Sequence, residues 1–361
     1  MKIHSFLIAW LILFQIPQLT AQEKSSLVSE RDVREMYIAL GQDSILKSLI
    51  NDIGDPATLL KEYKLRCLKA DSVWTCQQRS LKKVINLGAT KRLEIIPLVE
   101  AFSNSTILKT ENAVSYLIKT DSSIILFDLG ANWGHNNPAP ITFNMNNLGI
   151  NLKDIDDIFI SHNHYDHNGG VNEDERTFFL GNGQPALDDI AVYTPIPMNY
   201  PSTEPIFIPE PTKIEEAVST TGVIQSQIFF GEIEEQSLIV NVEGKGLVII
   251  SGCGHQTIRK IIERTEILFD EPIYGIIGGF HLPMTVQENI TPIYKYFVTG
   301  KLPWQSLTLD DIQENIRILK DKNIKVISIS RHDTSLESID LFKDAFQGEF
   351  IDFLVGNPIK I

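Results

Sequence analysis

Basic residues are in deficit in this chain: 32 Lys and Arg stand against 46 Asp and Glu in 361 residues, for a formal net charge of −14. Binding to a phosphate backbone needs a basic surface, so the charge argues against nucleic acid as a partner, while leaving room for a local basic pocket around a metal. Cysteine is scarcer still, with three residues. Cys67 and Cys76 either pair in an oxidising compartment or remain two buried free thiols, whereas Cys253 lies within a motif discussed below. Long apolar runs are absent except at the N-terminus. There Lys2 precedes a stretch over 5–19 with few polar residues, and Thr20-Ala21 gives way to polar Gln22-Glu23-Lys24. The run is short for a span of about 20 residues. It reads as a signal segment, 1–21, cut after Ala21, although Leu19 is larger than the small residue usual before such a cut. The mature chain is therefore expected in a periplasm or outside the cell, with no stable membrane anchor.

The remaining composition, 43% hydrophobic, suffices for one large domain and an appendage. Residues 22–90 read as a helical extension. Val33, Met36, Tyr37 and Leu40 recur at helical spacing, as do Ile45, Leu46, Leu49, Ile50 and Ile53, and Gly54-Asp55-Pro56 interrupts the pattern. From residue 91 the pattern changes. Strands are predicted at 93–99, 113–118, 123–128, 155–160, 236–241, 246–250, 273–277, 326–330 and 353–356, with helices at 257–268, 308–322 and 336–346. This interleaving implies an α/β layered domain over 91–361. A proline-rich loop spans 195–211. An aromatic loop over 285–304, with Tyr294, Tyr296, Phe297 and Trp304, is a candidate lid or substrate wall, or else a packed surface excursion.

Histidine is not scattered. Six of the eight histidines fall at predicted strand ends, three of them in Ser161-His162-Asn163-His164-Tyr165-Asp166-His167-Asn168-Gly169-Gly170. The others are His255 in Gly252-Cys253-Gly254-His255, His281 in Gly278-Gly279-Phe280-His281, and His332 in Ser330-Arg331-His332-Asp333. Residues two apart in extended chain point the same way, so His162 and His164 can grip one metal. Asp166 and His167 follow where the chain turns, and Gly169-Gly170 permits that turn. They can face a second ion. Imidazole and carboxylate suit Zn2+, with Mn2+ or Fe2+ as alternatives. Each ion needs a further ligand, for which His255 and His281 are the candidates. His332 binds metal, contacts substrate, donates a proton or caps a loop. His135 reads as a surface residue.

These motifs resemble the metallo-β-lactamase superfamily over about 93–361. The supporting features are Phe127-Asp128-Leu129-Gly130 closing an early strand, the 162–167 cluster and the later histidines. Within it, the pattern is nearest to the subgroup of dihydropterin-ribofuranosylaminobenzene-phosphate synthases, through residues 161–170, 252–255, 278–282 and 332–334. The resemblance implies an αββα sandwich with the site along one edge of the two sheets, and Asp128 as a structural residue rather than a ligand. Many members carry a metal-bridging aspartate where this chain has Cys253. A thiolate there bridges, binds one ion, or stays outside the ligand set. The late segment reads His332-Asp333-Thr334 where the subgroup commonly has His-Cys-Thr.

The expected activity is that of an exported metal-dependent hydrolase acting on a small, anionic substrate, with a phosphoester first by resemblance. A lactone, thioester or β-lactam hydrolase is the alternative, and a non-catalytic metal-dependent binding protein is a third reading. Asp166, as ligand and orienter, and His332, as proton donor or oxyanion contact, are the candidate catalytic residues.

Overall fold

The computed structural model describes residues 27–181, 183–284 and 292–361. The expected signal segment and the first part of the aromatic loop, 285–291, lie outside the described residues.

Three helices come first: α1 (Glu30–Gln42), α2 (Ser44–Ile53) and α3 (Pro56–Ser80). Each start is written in the sequence. Ser29 and Asp32 form a reciprocal capping box for α1, Asp43 caps α2 through the amides of Ile45 and Leu46, and Asp55 with Pro56 opens α3. Their apolar stripe, including Met36, Leu46, Ile50 and Leu60, buries against Phe229, Tyr296 and Leu302 of the following domain. Cys67 and Cys76 are free. They lie on one helix, nine residues and about 13.5 Å apart along its axis, which is too far for a disulfide. Neither is fully buried, so both sequence-based alternatives, the pair and the buried thiols, are corrected.

The strands are β1 (Glu94–Val99), β2 (Ser115–Lys119), β3 (Ile124–Phe127), β4 (Asp157–Phe159), β5 (Ala191–Thr194), β6 (Ile206–Phe207), β7 (Lys213–Glu215), β8 (Val218–Thr220), β9 (Ile224–Ile228), β10 (Gly231–Glu235), β11 (Leu238–Val242), β12 (Gly246–Ser251), β13 (Ile273–Gly278), β14 (Val326–Ile329) and β15 (Ile359–Lys360). They form a seven-stranded sheet ordered β15-β1-β2-β3-β4-β5-β6, a six-stranded sheet ordered β14-β13-β12-β11-β8-β7, and the β9–β10 hairpin. Helix α4 (Pro140–Asn147) covers the outer face of the first sheet. Helices α5 (Ile258–Leu268), α6 (Leu309–Asp321) and α7 (Leu336–Ala345) cover the outer face of the second. The architecture is the αββα sandwich.

Strand periodicity builds the layers. In β12, Val248 and Ile250 point between the sheets, while Leu247 and Ile249 point to the helices. In β3, Ile125 and Phe127 face the inter-sheet core and Leu126 faces α4. Strands buried on both faces read as continuous apolar runs, which made them legible. Helix α4, strands β5 to β8 and the β9–β10 hairpin have weaker patterns and were not expected, and β6 lies inside the proline-rich 195–211 loop, where regular structure was not anticipated. The expected strand at 353–356 is not one: Phe353 fills the inter-sheet core from irregular chain, and the edge strand comes later, at β15.

Strands β3, β4 and β5 pair in parallel, as do β12, β13 and β14. Their carboxyl ends meet at one edge of the sandwich. Asp128 follows β3, His162 follows β4, Cys253 and His255 follow β12, His281 follows β13, and His332 follows β14. Carboxyl ends of parallel strands are where α/β folds place their ligand sites.

Candidate metal centre

Ser161 leaves β4 directly into the 162–167 cluster, and the chain then turns, with the amides of His167 and Asn168 both bonding the His164 carbonyl (3.0 Å each). Gly169 and Gly170 both take φ of +87°. A Cβ at Gly169 would sit 1.8 Å from the Phe179 carbonyl oxygen, and one at Gly170 would sit 1.9 Å from that of Ala131, so no other residue fits this turn.

The six histidines expected at the site converge. Ring centroids are 4.5 Å apart for His162–His164, 5.0 Å for His164–His255, 4.6 Å for His255–His281 and 5.4 Å for His167–His332. Two donor groups stand out, each with its ligand atoms within 4.8 Å of one another: His162, His164 and His255; and Asp166, His167, Cys253 and His332. A third group joins Cys253, His255 and His281. His281 thus stands beside His255 and Cys253, while His332 stands with Asp166 and His167. His135 is exposed.

Two carboxylate–serine relays aim the imidazoles. The Ser161 hydroxyl donates to Asp128 Oδ2 (2.6 Å), so it accepts from His162 Nδ1 (2.9 Å) and leaves a lone pair on His162 Nε2. Asp128 Oδ2 also takes the Nδ1 proton of His167 (2.6 Å), and Oδ1 takes the Ser161 amide (2.7 Å). On the other sheet the Ser330 hydroxyl donates to Glu100 Oε2 and accepts from His332 Nδ1 (2.6 Å), so His332 Nε2 also carries a lone pair. Glu235 accepts the amides of Cys253 (3.0 Å), Gly254 (2.8 Å) and His255 (2.8 Å), clamping that loop. Sequence reasoning missed Glu100, Glu235, Ser161 and Ser330. The available signal for Glu100, Ser161 and Ser330 was an acidic or hydroxyl residue closing an otherwise apolar strand; Glu235 ends the polar β10 and gave none.

Charge states follow from burial. His162, His255 and His332 are pushed well below the usual imidazole range, first by burial and then by neighbouring imidazoles. Burial also brings His164 and His281 down to about 4. Burial would lower His167 too, but the carboxylates of Asp166 and Asp128 outweigh it and raise it to about 9. Asp166 runs the other way: burial opposes its charge, and the imidazoles of His167, His332 and His164 bring it below the usual carboxylate value. Five imidazoles are thereby neutral, the metal-binding form. His162 Nε2, both ring nitrogens of His255 and His281 Nδ1 are buried and have no hydrogen-bond partner. Such orphaned lone pairs are costly unless something occupies them, and a divalent cation fits the donor set.

A cavity of about 180 Å3 opens onto the cluster beside His164, Asp166, Cys253, His255 and His281. Trp133, stacked on Tyr165 with centroids 4.6 Å apart, forms one aromatic wall. Tyr294 and Phe297, from the described part of the aromatic loop, form another. Tyr294 donates to Asp166 Oδ2 (2.9 Å), and its carbonyl accepts from His281 Nε2 (2.9 Å). The loop is braced from behind, because Lys295 Nζ and the Tyr296 hydroxyl both bond Asp43 at the start of α2 (2.7 and 2.8 Å). The helical extension therefore reaches the site through the loop, although no chemistry was expected of it.

Residues 108–230 match the model of the metallo-beta-lactamase superfamily, and the αββα sandwich is the fold that the resemblance in sequence implied. The chain is similar to a 7,8-dihydropterin-6-methyl-4-(beta-D-ribofuranosyl)-aminobenzene-5'-phosphate synthase of Methanocaldococcus jannaschii, 24% identical over 333 residues, which span 77% of this chain and 99% of the relative. An uncharacterized protein of the same organism is 28% identical over 218 residues, 52% of this chain and 79% of that one. A solved metal-dependent hydrolase of the beta-lactamase superfamily shares 20% identity at a TM-score of 0.49, over 74% of this chain and 99% of its own.

Proposed function

We propose that this chain is an exported metal-dependent hydrolase of a small-molecule ester, with a phosphoester as the first candidate substrate. The observation that carries the reading is the set of buried, unpartnered imidazole nitrogens at the cavity floor. His162, His164 and His255 would hold one divalent cation, and Asp166, His167 and His332 a second, with Zn2+ favoured by the nitrogen-rich set and Mn2+ or Fe2+ as alternatives. A bound cation there supplies Lewis acidity, which makes water a nucleophile at neutral pH and favours negative charge on the substrate oxygen.

The protein's own groups do the rest. Asp128 and Glu100, acting through Ser161 and Ser330, hold the donor nitrogens in one tautomer. His281, neutral and with Nδ1 free at the cavity wall, accepts a hydrogen bond from the attacking water or the substrate. Tyr294 fixes the orientation of Asp166, and the aromatic walls exclude bulk water. This exchanges the roles expected from sequence for His281 and His332. The phosphate-bearing name of the archaeal relative supports the phosphoester; that relative is a synthase, so hydrolysis is the part proposed here.

The second reading, an uncharged lactone or related acyl ester, is favoured by the aromatic walls and by Glu173, Glu232 and Glu234 beside His164 at the rim. Turnover of bis-(4-nitrophenyl) phosphate but not of an acyl homoserine lactone or nitrocefin, abolished by a chelator, is the expected result. The reverse preference selects the second reading, and stoichiometric metal with no turnover on any substrate selects a binding protein. Metal analysis of His332→Ala and His281→Ala separates the two roles: only the first should lose metal. Export is tested by fractionation, which should recover a chain shortened by 21 residues outside the cytoplasm.

A further inference from the structure

A second cavity, of about 350 Å3, adjoins the cluster, bounded by the start of α5, by α6 and by residues 298–307. It shares two lining residues with the 180 Å3 cavity, His255 and His281. Their rings lie 4.6 Å apart, so this imidazole pair borders both spaces. The inner wall is apolar, with Phe280, Leu282, Val298, Leu307 and Ile318. Its two cations are taken by carboxylates: Lys301 Nζ bonds both oxygens of Asp311 (2.9 and 2.8 Å), and Arg259 bonds Glu314. Asp310 adds a further carboxylate, so the wall favours an uncharged occupant over an anion. Thr257, also in the wall, holds φ of +72°. A β-branched residue there is strained, and such strain gathers at ligand sites. The Thr299 hydroxyl donates to the His255 carbonyl (2.7 Å) and ties this wall to the cluster.

His255 supplies the polar feature. His162, His167, His281 and His332 each tie one ring nitrogen to a protein oxygen. His255, 1% exposed, ties neither among the described residues. A cation shared with His162 and His164 takes one of its nitrogens. The other then carries the ring proton. Ligand imidazoles ordinarily pass that proton to an oxygen, and a buried donor without an acceptor is costly.

We propose that the second cavity binds an uncharged, mainly apolar organic molecule whose carbonyl oxygen accepts from the outer nitrogen of His255. The role of His255 rests on the metal-centre reading above; the cavity does not. By supplying the missing partner, the ligand tightens the hold on the cation, and the cation tightens the hold on the ligand by the same factor.

The test uses the full chain, zinc-loaded and zinc-stripped, with benzamide as the probe and ethylbenzene as its counterpart without a carbonyl. Titration followed by saturation-transfer NMR should show benzamide binding the loaded protein about tenfold more tightly than the stripped one. Ethylbenzene should bind both forms equally. Leu307→Trp, which fills the apolar wall without touching a metal donor, should keep the wild-type zinc content and lose benzamide. Binding of benzamide that survives Leu307→Trp overturns the site. Equal affinity for loaded and stripped protein, or the same zinc dependence with ethylbenzene, overturns the bond to His255. A wild type that holds no zinc overturns the metal-centre reading, and Leu307→Trp against benzamide then still decides the cavity. Should that variant fail to fold, nuclear Overhauser contacts from benzamide to the methyl groups of Leu282, Val298 and Ile318 in the wild type support the site, and their absence overturns it.

Discussion

Asp128 ties two of the donor imidazoles together, one directly and one through Ser161, and its removal has a worked consequence. Asp128→Ala deletes the acceptor of three bonds, from the Ser161 amide (2.7 Å), the Ser161 hydroxyl (2.6 Å) and His167 Nδ1 (2.6 Å), all in a fully buried setting. Breaking a buried charge pair costs about 3–5 kcal/mol, and each stranded donor about 1–3 kcal/mol. These costs overlap, so a loss of about 3–5 kcal/mol is expected. A domain with about 5–15 kcal/mol of stability stays folded at the upper end of that range. Metal binding suffers separately, because both His162 and His167 lose their orientation. Removing such an outer partner typically lowers affinity about 10–100-fold, or about 1.4–2.8 kcal/mol. Denaturant unfolding of the stripped protein measures the first quantity, and zinc competition against a chromophoric chelator the second. Stability within about 1 kcal/mol of wild type together with zinc affinity within about twofold would refute the argument that Asp128 organises the site.

The other predictions concern the loop, the acid limit and the thiols. Tyr294→Phe removes the hydroxyl on Asp166, and EDTA should extract metal about tenfold faster, the equivalent of ~1.4 kcal/mol; an unchanged extraction rate would show that the loop does not guard the centre. Burial raises the pKa of Asp43, but the Lys295 ammonium, the Leu46 amide and the Tyr296 hydroxyl outweigh it and bring the carboxyl from 3.8 to about 2. A lowered carboxyl stabilises the fold above its unfolded value, and that contribution is lost as pH falls from about 4 through 2. Asp43→Asn should therefore flatten the acid limb of the stability curve in that window, and an unaltered limb would remove the brace. Cys67 and Cys76 should titrate as two free thiols in protein purified without reductant; a mass two units lower, from a bond between them, would contradict the helix α3 geometry.

The sequence by itself determined the inventory of candidate donors and the layering. Alternating or continuous apolar runs identified most of the strands, because side-chain direction along a strand is local. The His162–His167 cluster and its Gly169-Gly170 turn were legible because they are contiguous in the chain. Tertiary structure decided which partners the distant segments take. His281 and His332 have similar surroundings in sequence, each near a strand end, yet register in the parallel β12–β13–β14 set puts His332 beside His167 and His281 beside His255. Glu235 gave no sequence signal and Glu100 only a local one, an acid closing an apolar strand, because a buried acid becomes functional only when a strand from elsewhere delivers donors to it. The role of residues 22–90 was likewise invisible: only folding brings Asp43 to Lys295, 252 positions away. Local pattern encodes what a segment is. Which atoms meet across the edge of two sheets depends on packing and register, and it is there that Cys253 reaches the ring nitrogens of both His167 and His332.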